Sequence, residues 1–190
     1  AGKASVIELS QEDIRFYGST SGVPNAAISL KERMRINAEG NIYSVNSYYS
    51  TFFGNKAGSN STGEHNSAFG YESLENITTG SRNTAVGAFA LERSYVGDKN
   101  TAVGYGAMYA SGSANPADVA SNNTAIGNLA GSNITTGDRN SILGSSAGST
   151  IETGELNTYV GMYSGGNTGV ATSYNVALGY HSLRYANAPQ

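Results

Sequence analysis

Eight glycines divide most of this chain into units of nearly constant length, and that period limits the available folds more than any other feature. Gly54, Gly70, Gly87, Gly104, Gly127, Gly144, Gly161 and Gly179 follow at intervals of 16, 17, 17, 23, 17, 17 and 18 residues. Each closes a short phrase. Its clearest copies are Asn83-Thr84-Ala85-Val86-Gly87, Asn100-Thr101-Ala102-Val103-Gly104 and Asn123-Thr124-Ala125-Ile126-Gly127. Looser copies begin at Asn66, Asn140, Asn157 and Asn175, and a degenerate one, Ser50 to Gly54, lacks the asparagine. No independent core fits inside so short a unit, so the units must stack as coils of a repetitive β-solenoid or β-roll.

Aligned by their glycines, the units resolve into columns. The residue before each glycine is large and apolar (Phe53, Phe69, Val86, Val103, Ile126, Leu143, Val160, Leu178), which argues against disorder and reads as the core column. Three positions after the glycine the residue is always small: Ala57, Ser73, Ala90, Ala107, Ala130, Ala147, Ser164 and Ser182. Small side chains in a fixed column imply close approach of another backbone, from the same chain or a neighbouring subunit. Turns of the form Gly97-Asp98-Lys99-Asn100 and Gly137-Asp138-Arg139-Asn140 corner each coil. The asparagines Asn66, Asn83, Asn100, Asn123, Asn140, Asn157 and Asn175 read as an internal hydrogen-bonded ladder. A coil of this length has perimeter for two or three strands of about four residues, and eight coils at ~4.8 Å give a rod of roughly 38 Å.

Residues 1–45 lack the repeat. Apolar and polar residues alternate around Ile7 and Leu9, Ile14 and Phe16, Ile28 and Leu30, and Met34 and Ile36, the mark of half-buried strands. Ala38 to Asn41 reads as a hairpin turn and Gly18 to Asn25 as a loop. The expected organisation is a small antiparallel β module over 1–45 and an all-β solenoid over 46–190, with an insertion near 109–121 where the interval lengthens to 23.

A core of one large side chain per coil is thin. At ~1.5–3 kcal/mol for each, eight such residues do not offset the ordering entropy of a lone chain, so further burial is expected from association. Tyr48, Tyr49, Phe52 and Tyr159 are candidates for it, and a homotrimer about the rod axis is the expected form. Other classes recede. The net charge is −3 and no Lys/Arg run occurs, so there is no nucleic-acid footprint. No apolar stretch approaches ~18 residues, so no membrane insertion is expected. Cysteine is absent and histidine occurs twice, at His65 and His181, which leaves neither a thiolate nor a zinc set and predicts no cofactor.

Two stretches resemble one family. The Asn-Thr-Ala-Val-Gly phrases, with Thr79-Gly80, Thr136-Gly137 and Thr153-Gly154 shortly before an asparagine, are similar to repeats of bacteriophage tail fibres and related viral attachment proteins. Glu32-Arg33-Met34-Arg35-Ile36, followed by Gly40-Asn41, resembles the element that precedes such repeats. The resemblance implies a trimeric, β-rich fibre on a virion, joined to other fibre or tail proteins and contacting host-surface glycans. Nothing in these 190 residues resembles the self-cleaving C-terminal chaperone domain into which many such fibres continue. Heads of trimeric bacterial adhesins carry comparable but shorter repeats and form one alternative; a tailspike-type polysaccharide depolymerase forms another.

A depolymerase needs paired carboxylates. Glu64, Asp98, Asp138 and Glu155 form an acidic column, with Ser81, Ser121 and Ser173 in the remaining units. Beside Arg82, Lys99 and Arg139 this column reads as solvated turns rather than as a catalytic or calcium site. Thr51, Thr84, Thr101, Thr124 and Thr158 recur three residues before the glycine, a rank of the kind that binds ice but that reads more simply as a β-branched strand position, interrupted by Ser67, Ser141 and Val176. The expectation is therefore a non-enzymatic protein without catalytic residues. The lengthened unit is the best functional pointer, because insertions in repeat proteins project from one face. There Tyr109, Asn115 and Asp118 offer a ring and polar groups suited to a glycan.

Overall fold

The computed structural model describes residues 5–9, 13–19, 30–37, 42–44, 49–109, 119–166 and 171–183. Every regular element among them is a β-strand, and the chain divides into two compact units, Ala1–Thr51 and Phe52–Gln190.

The first unit holds β1 (Ser5–Leu9), β2 (Asp13–Ser19), β3 (Leu30–Asn37) and β4 (Ile42–Ser44), paired antiparallel in that order. Register places Ile7 opposite Phe16, Leu9 opposite Ile14, and Ile14 opposite Ile36, so the alternating apolar positions pair with one another across the strands. Gly18 and Ser19 belong to β2 and pair with Lys31 and Leu30, so the strand extends into the expected loop. Ile7 and Leu9 on the edge strand remain 64% and 75% exposed. Ile28, Ala38 to Asn41 and Tyr48 lie outside the described residues.

The second unit is a parallel β-solenoid. One three-residue strand from each coil enters a single eight-stranded sheet: β5 (Thr51–Phe53), β6 (Ser67–Phe69), β7 (Thr84–Val86), β8 (Thr101–Val103), β9 (Thr124–Ile126), β10 (Ser141–Leu143), β11 (Thr158–Val160) and β12 (Val176–Leu178). Neighbours pair like with like: Ala85 faces Ala102 and Val86 faces Val103, and the register passes unbroken across the lengthened unit from Ala102 to Ala125.

The expected second and third strands are absent from the described coils. After each closing glycine the backbone turns left-handed at alternate residues, for example Glu72 (φ 54°) and Leu74 (φ 52°), and cannot extend. It still bonds to both neighbours: the Glu72 N–H donates to the Asn55 carbonyl (2.9 Å) and the Leu74 N–H to the Ala90 carbonyl (3.0 Å). In the corner turns the left-handed residue is the base before the asparagine, Arg82 (φ 61°), Lys99 (φ 56°) or Arg139 (φ 59°), and not the glycine.

The core column differs from the expected one. Strand side chains alternate, and the buried asparagine fixes which alternation faces inward, so Ala68, Ala85, Ala102, Ala125, Ile142, Tyr159 and Ala177 point in. The large residues before the closing glycines point out; Phe53 is 50%, Leu143 48% and Leu178 74% exposed. Tyr159, expected to be an exposed contact, is completely buried, and Phe52 packs partly buried against the core. The small column after the glycine, from Ser73 and Ala90 to Ala147 and Ser164, is buried within the solenoid.

Inside the solenoid, most coils pair a small residue on one wall with a large one on the other. Where the strand centre is alanine (Ala68, Ala85, Ala102), the residue six positions on is a buried Leu74, Leu91 or Met108. Where the centre is large, that residue is glycine: a Cβ on Gly58 would lie 2.6 Å from the Phe52 ring, and one on Gly165 2.6 Å from the Tyr159 ring. Gly131 opposite Ala125 leaves room that Ile134 and Ile142 fill. The two walls therefore share one filling volume. Ala85→Ile alone is expected to destabilise by about 1–3 kcal/mol through overpacking, and Leu91→Gly alone by about 3–5 kcal/mol through a cavity. The double variant should recover about 1–3 kcal/mol relative to their sum in a denaturation cycle; strict additivity would refute the shared volume.

The asparagines form the second internal column. The Asn66 side-chain oxygen accepts the Asn83 backbone N–H (2.9 Å) and its Nδ2–H (3.2 Å), and Asn83 Nδ2 donates onward to the Gly97 carbonyl (2.7 Å). The backbone bond repeats at 2.9–3.0 Å through Asn100, Asn123, Asn140, Asn157 and Asn175. From Asn66 to Asn157, each amide thus satisfies one backbone donor and one backbone acceptor where no strand pairing reaches them.

Candidate functional site

Several aromatic side chains of the second unit stand on residues that follow the closing glycines. Tyr71, Phe89 and Tyr105, from three successive coils, meet edge to face, with ring centroids 5.3 Å apart for Tyr71–Phe89 and 5.6 Å for Phe89–Tyr105. Tyr109, from the same coil as Tyr105, also meets Phe89 edge to face, at 6.2 Å and an interplanar angle of 82°. Between these rings lies a pocket of about 170 Å³ lined by Phe89, Tyr105, Gly106, Tyr109 and Leu129. Edge-to-face contacts brace the rings against one another, so Tyr105 is held in place while 54% exposed.

Charged groups flank the pocket. The Arg93 guanidinium stands 5.1 Å from the centre of the Tyr109 ring, a cation–π contact. Burial, together with the charge of Glu92, pushes the Tyr109 hydroxyl above the usual tyrosine range. Glu72, Glu75 and Glu92 bring carboxylate oxygens within 4.8 Å of one another. Lys56 from the preceding coil reaches across them, its Nζ 2.6 Å from Glu72 and 3.3 Å from Glu75. Hydrogen bonding to Glu72, then to Glu75, raises the Lys56 ammonium well above its ordinary value. The same contact, aided by a bond from Tyr71, holds Glu72 below the usual carboxylate range. The lysine thus supplies positive charge to the cluster, and Glu72 is kept ionised.

The two aspartates of the acidic column accept bonds from neighbouring coils, while the Glu64 and Glu155 side chains stay exposed. The Ser81 N–H donates to Asp98 Oδ1 (2.7 Å), the Asp98 N–H to Ser121 Oγ (3.1 Å), and the Ser121 N–H to Asp138 Oδ1 (2.6 Å). Glu64 and Glu155 donate their N–H groups to Ser81 Oγ and Ser173 Oγ in the same way. Alternating acid with serine separates like charges that would otherwise stack one strand spacing apart. Where Asp138 and Glu155 adjoin, Arg139 lies 3.8 Å from Glu155. His65 and His181 sit beside β6 and β12, six strands and so about 29 Å apart.

Of the residues expected to form a glycan site, Tyr109 lines the pocket, whereas Asn115 and Asp118 lie outside the described residues. Phe89, Tyr105, Leu129 and the Glu72–Glu75–Glu92 cluster were missed by the sequence reading. A signal existed in the columns: Lys56 and Glu72 each stand two places after a closing glycine, and Glu75 and Glu92 five places after. Stacking one coil on the next makes such residues neighbours.

Comparison with protein-family models finds no match, and neither the curated proteins nor the solved structures yield one. Among the described residues no helix is long and apolar enough to cross a membrane.

Proposed function

We propose that this chain is a structural and receptor-binding segment of a viral tail fibre, carried on the virion as a homotrimer and engaging host-surface glycans. The observation that carries the reading is the outward apolar row. Phe53, Phe69, Val86, Val103, Ile126, Leu143, Val160 and Leu178 stand in register along one flank of the sheet, most of them well exposed, with Phe53 stacked on Phe69 at 5.9 Å. An exposed ridge repeating at strand spacing is suited to burial against copies of itself and not to solvent. The resemblance of the Asn-Thr-Ala-Val-Gly phrases to tail-fibre repeats supplies the biological setting, with other fibre or tail proteins as further partners.

A non-enzymatic role is supported by how the carboxylates are used. Asp98 and Asp138 accept backbone N–H groups, and Lys56 keeps Glu72 ionised, whereas glycoside hydrolysis needs one carboxyl held protonated. Light scattering at micromolar concentration is expected to give three times the 19.6 kDa chain mass, and Val86→Glu combined with Leu143→Glu should yield monomers. A heat-stable wild-type monomer would overturn the assembly. New reducing ends after incubation with host polysaccharide would overturn the non-enzymatic reading, and a blank glycan array would overturn attachment through glycans.

A further inference from the structure

We propose that the pocket between Phe89, Tyr105 and Tyr109 binds one neutral hexopyranose unit through the apolar face of its ring; this deepens, and rests on, the glycan-attachment reading.

The pocket opens where one coil lacks a side chain, at Gly106. Gly106 occupies the column that neighbouring coils fill with Phe89 and Leu129, and a Cβ there would come within 2.8 Å of Leu129 Cδ2. The missing side chain forms the floor. The same unit is the one whose interval lengthens to 23, with the added residues following Tyr109 in sequence. The glycine that opens the pocket and the lengthened interval thus belong to one repeat unit.

Size and charge select the ligand. At about 170 Å³ the pocket lies below the ~300 Å³ at which sites for drug-sized molecules begin, so it admits one ring and not an oligosaccharide. The Glu72–Glu75–Glu92 cluster on one flank disfavours an anionic sugar. Arg93, already seated on the Tyr109 ring, disfavours a cation such as a quaternary ammonium. What remains is a neutral ring with an apolar face to lie on an aromatic side chain and hydroxyls at its edge. A pyranose has both.

The test is saturation-transfer NMR and titration of the whole chain with methyl glycosides of glucose, galactose and mannose, with glucuronate and choline as charged comparators. At least one neutral glycoside should bind with a Kd on the order of 1 mM, and both charged probes about tenfold more weakly. Tyr105→Ala should weaken the neutral ligand about tenfold, Tyr105→Phe by no more than about threefold, and Tyr180→Ala, a tyrosine on the last coil, not at all. No transfer from any neutral glycoside, charged probes binding equally well, or an unaffected Tyr105→Ala variant would each overturn the assignment. A glycan array separates this from the broader reading. Array binding that survives Tyr105→Ala, without monosaccharide binding, removes this pocket and leaves attachment standing. Glycoside binding with a blank array does the reverse.

Discussion

Gly127→Ala is expected to abolish the solenoid fold or destabilise it by more than about 4 kcal/mol. Gly127 has a φ of +137°, outside the range that alanine adopts without strain, and this alone costs on the order of 1–3 kcal/mol. The larger effect is steric. A Cβ would stand 2.5 Å from the Gly144 carbonyl oxygen and 2.6 Å from its carbon, both backbone atoms of the next coil. Relief requires separating two coils whose register is shared by the whole sheet. Gly179 provides the control: its φ is +110°, but among the described residues no atom lies within 4 Å of the added carbon. Gly179→Ala should therefore show the strain alone, lowering stability by about 1–3 kcal/mol. Comparable melting temperatures for the two variants would show that coil-to-coil approach is not the reason for the glycine column.

Asn140→Ala is the second large effect, expected to cost about 3–5 kcal/mol. It removes the bonds from Asn140 Nδ2 to Asn123 Oδ1 (3.0 Å) and to the Gly154 carbonyl (2.8 Å), and those that Asn140 Oδ1 accepts from the Asn157 N–H and Nδ2–H (3.0 Å each). A buried N–H and a buried carbonyl lose these partners, at about 1–3 kcal/mol apiece. At 2–4 °C per kcal/mol for a chain of this size, the melting temperature should fall by roughly 10 °C. Asn140→Asp should behave differently with pH. The new carboxyl would face two acceptors, which raises its folded pKa above the unfolded value of about 3.9. The folded state then binds the proton more tightly, so the variant is closest to wild type below about pH 4 and loses stability as pH rises. A melting-temperature difference that is flat with pH would mean that the carboxyl has reached solvent and that the ladder is not sealed.

These two columns are legible in the sequence because what each does is repeated in every coil. A glycine that permits close approach and an asparagine that bonds the next coil's backbone are needed identically at each turn, so their period appears directly in the sequence. The core was harder. Reading Phe53, Val86 and Leu143 as interior followed hydrophobicity, yet the strand alternates, and the buried asparagine had already claimed the inward face; the alanine two places later must then be inside. The partner of that alanine, Leu91 or Met108, lies on another wall at a residue with left-handed φ, where no strand or helix period predicts its direction. The pocket was partly visible through Tyr109, because an insertion is conspicuous. Phe89, Tyr105 and Leu129 were not, since they come from different coils and meet only when the coils stack.

By itself, then, the sequence determined the period, the parallel stacking of coils and the internal amide ladder, because each rests on an interaction repeated between identical positions. Tertiary structure alone decided which apolar column is buried and which faces outward, and which aromatic rings converge. Those outcomes depend on how side chains from different walls divide a fixed interior volume. Close packing settles that division across the whole coil, and no single residue carries it in its own neighbourhood.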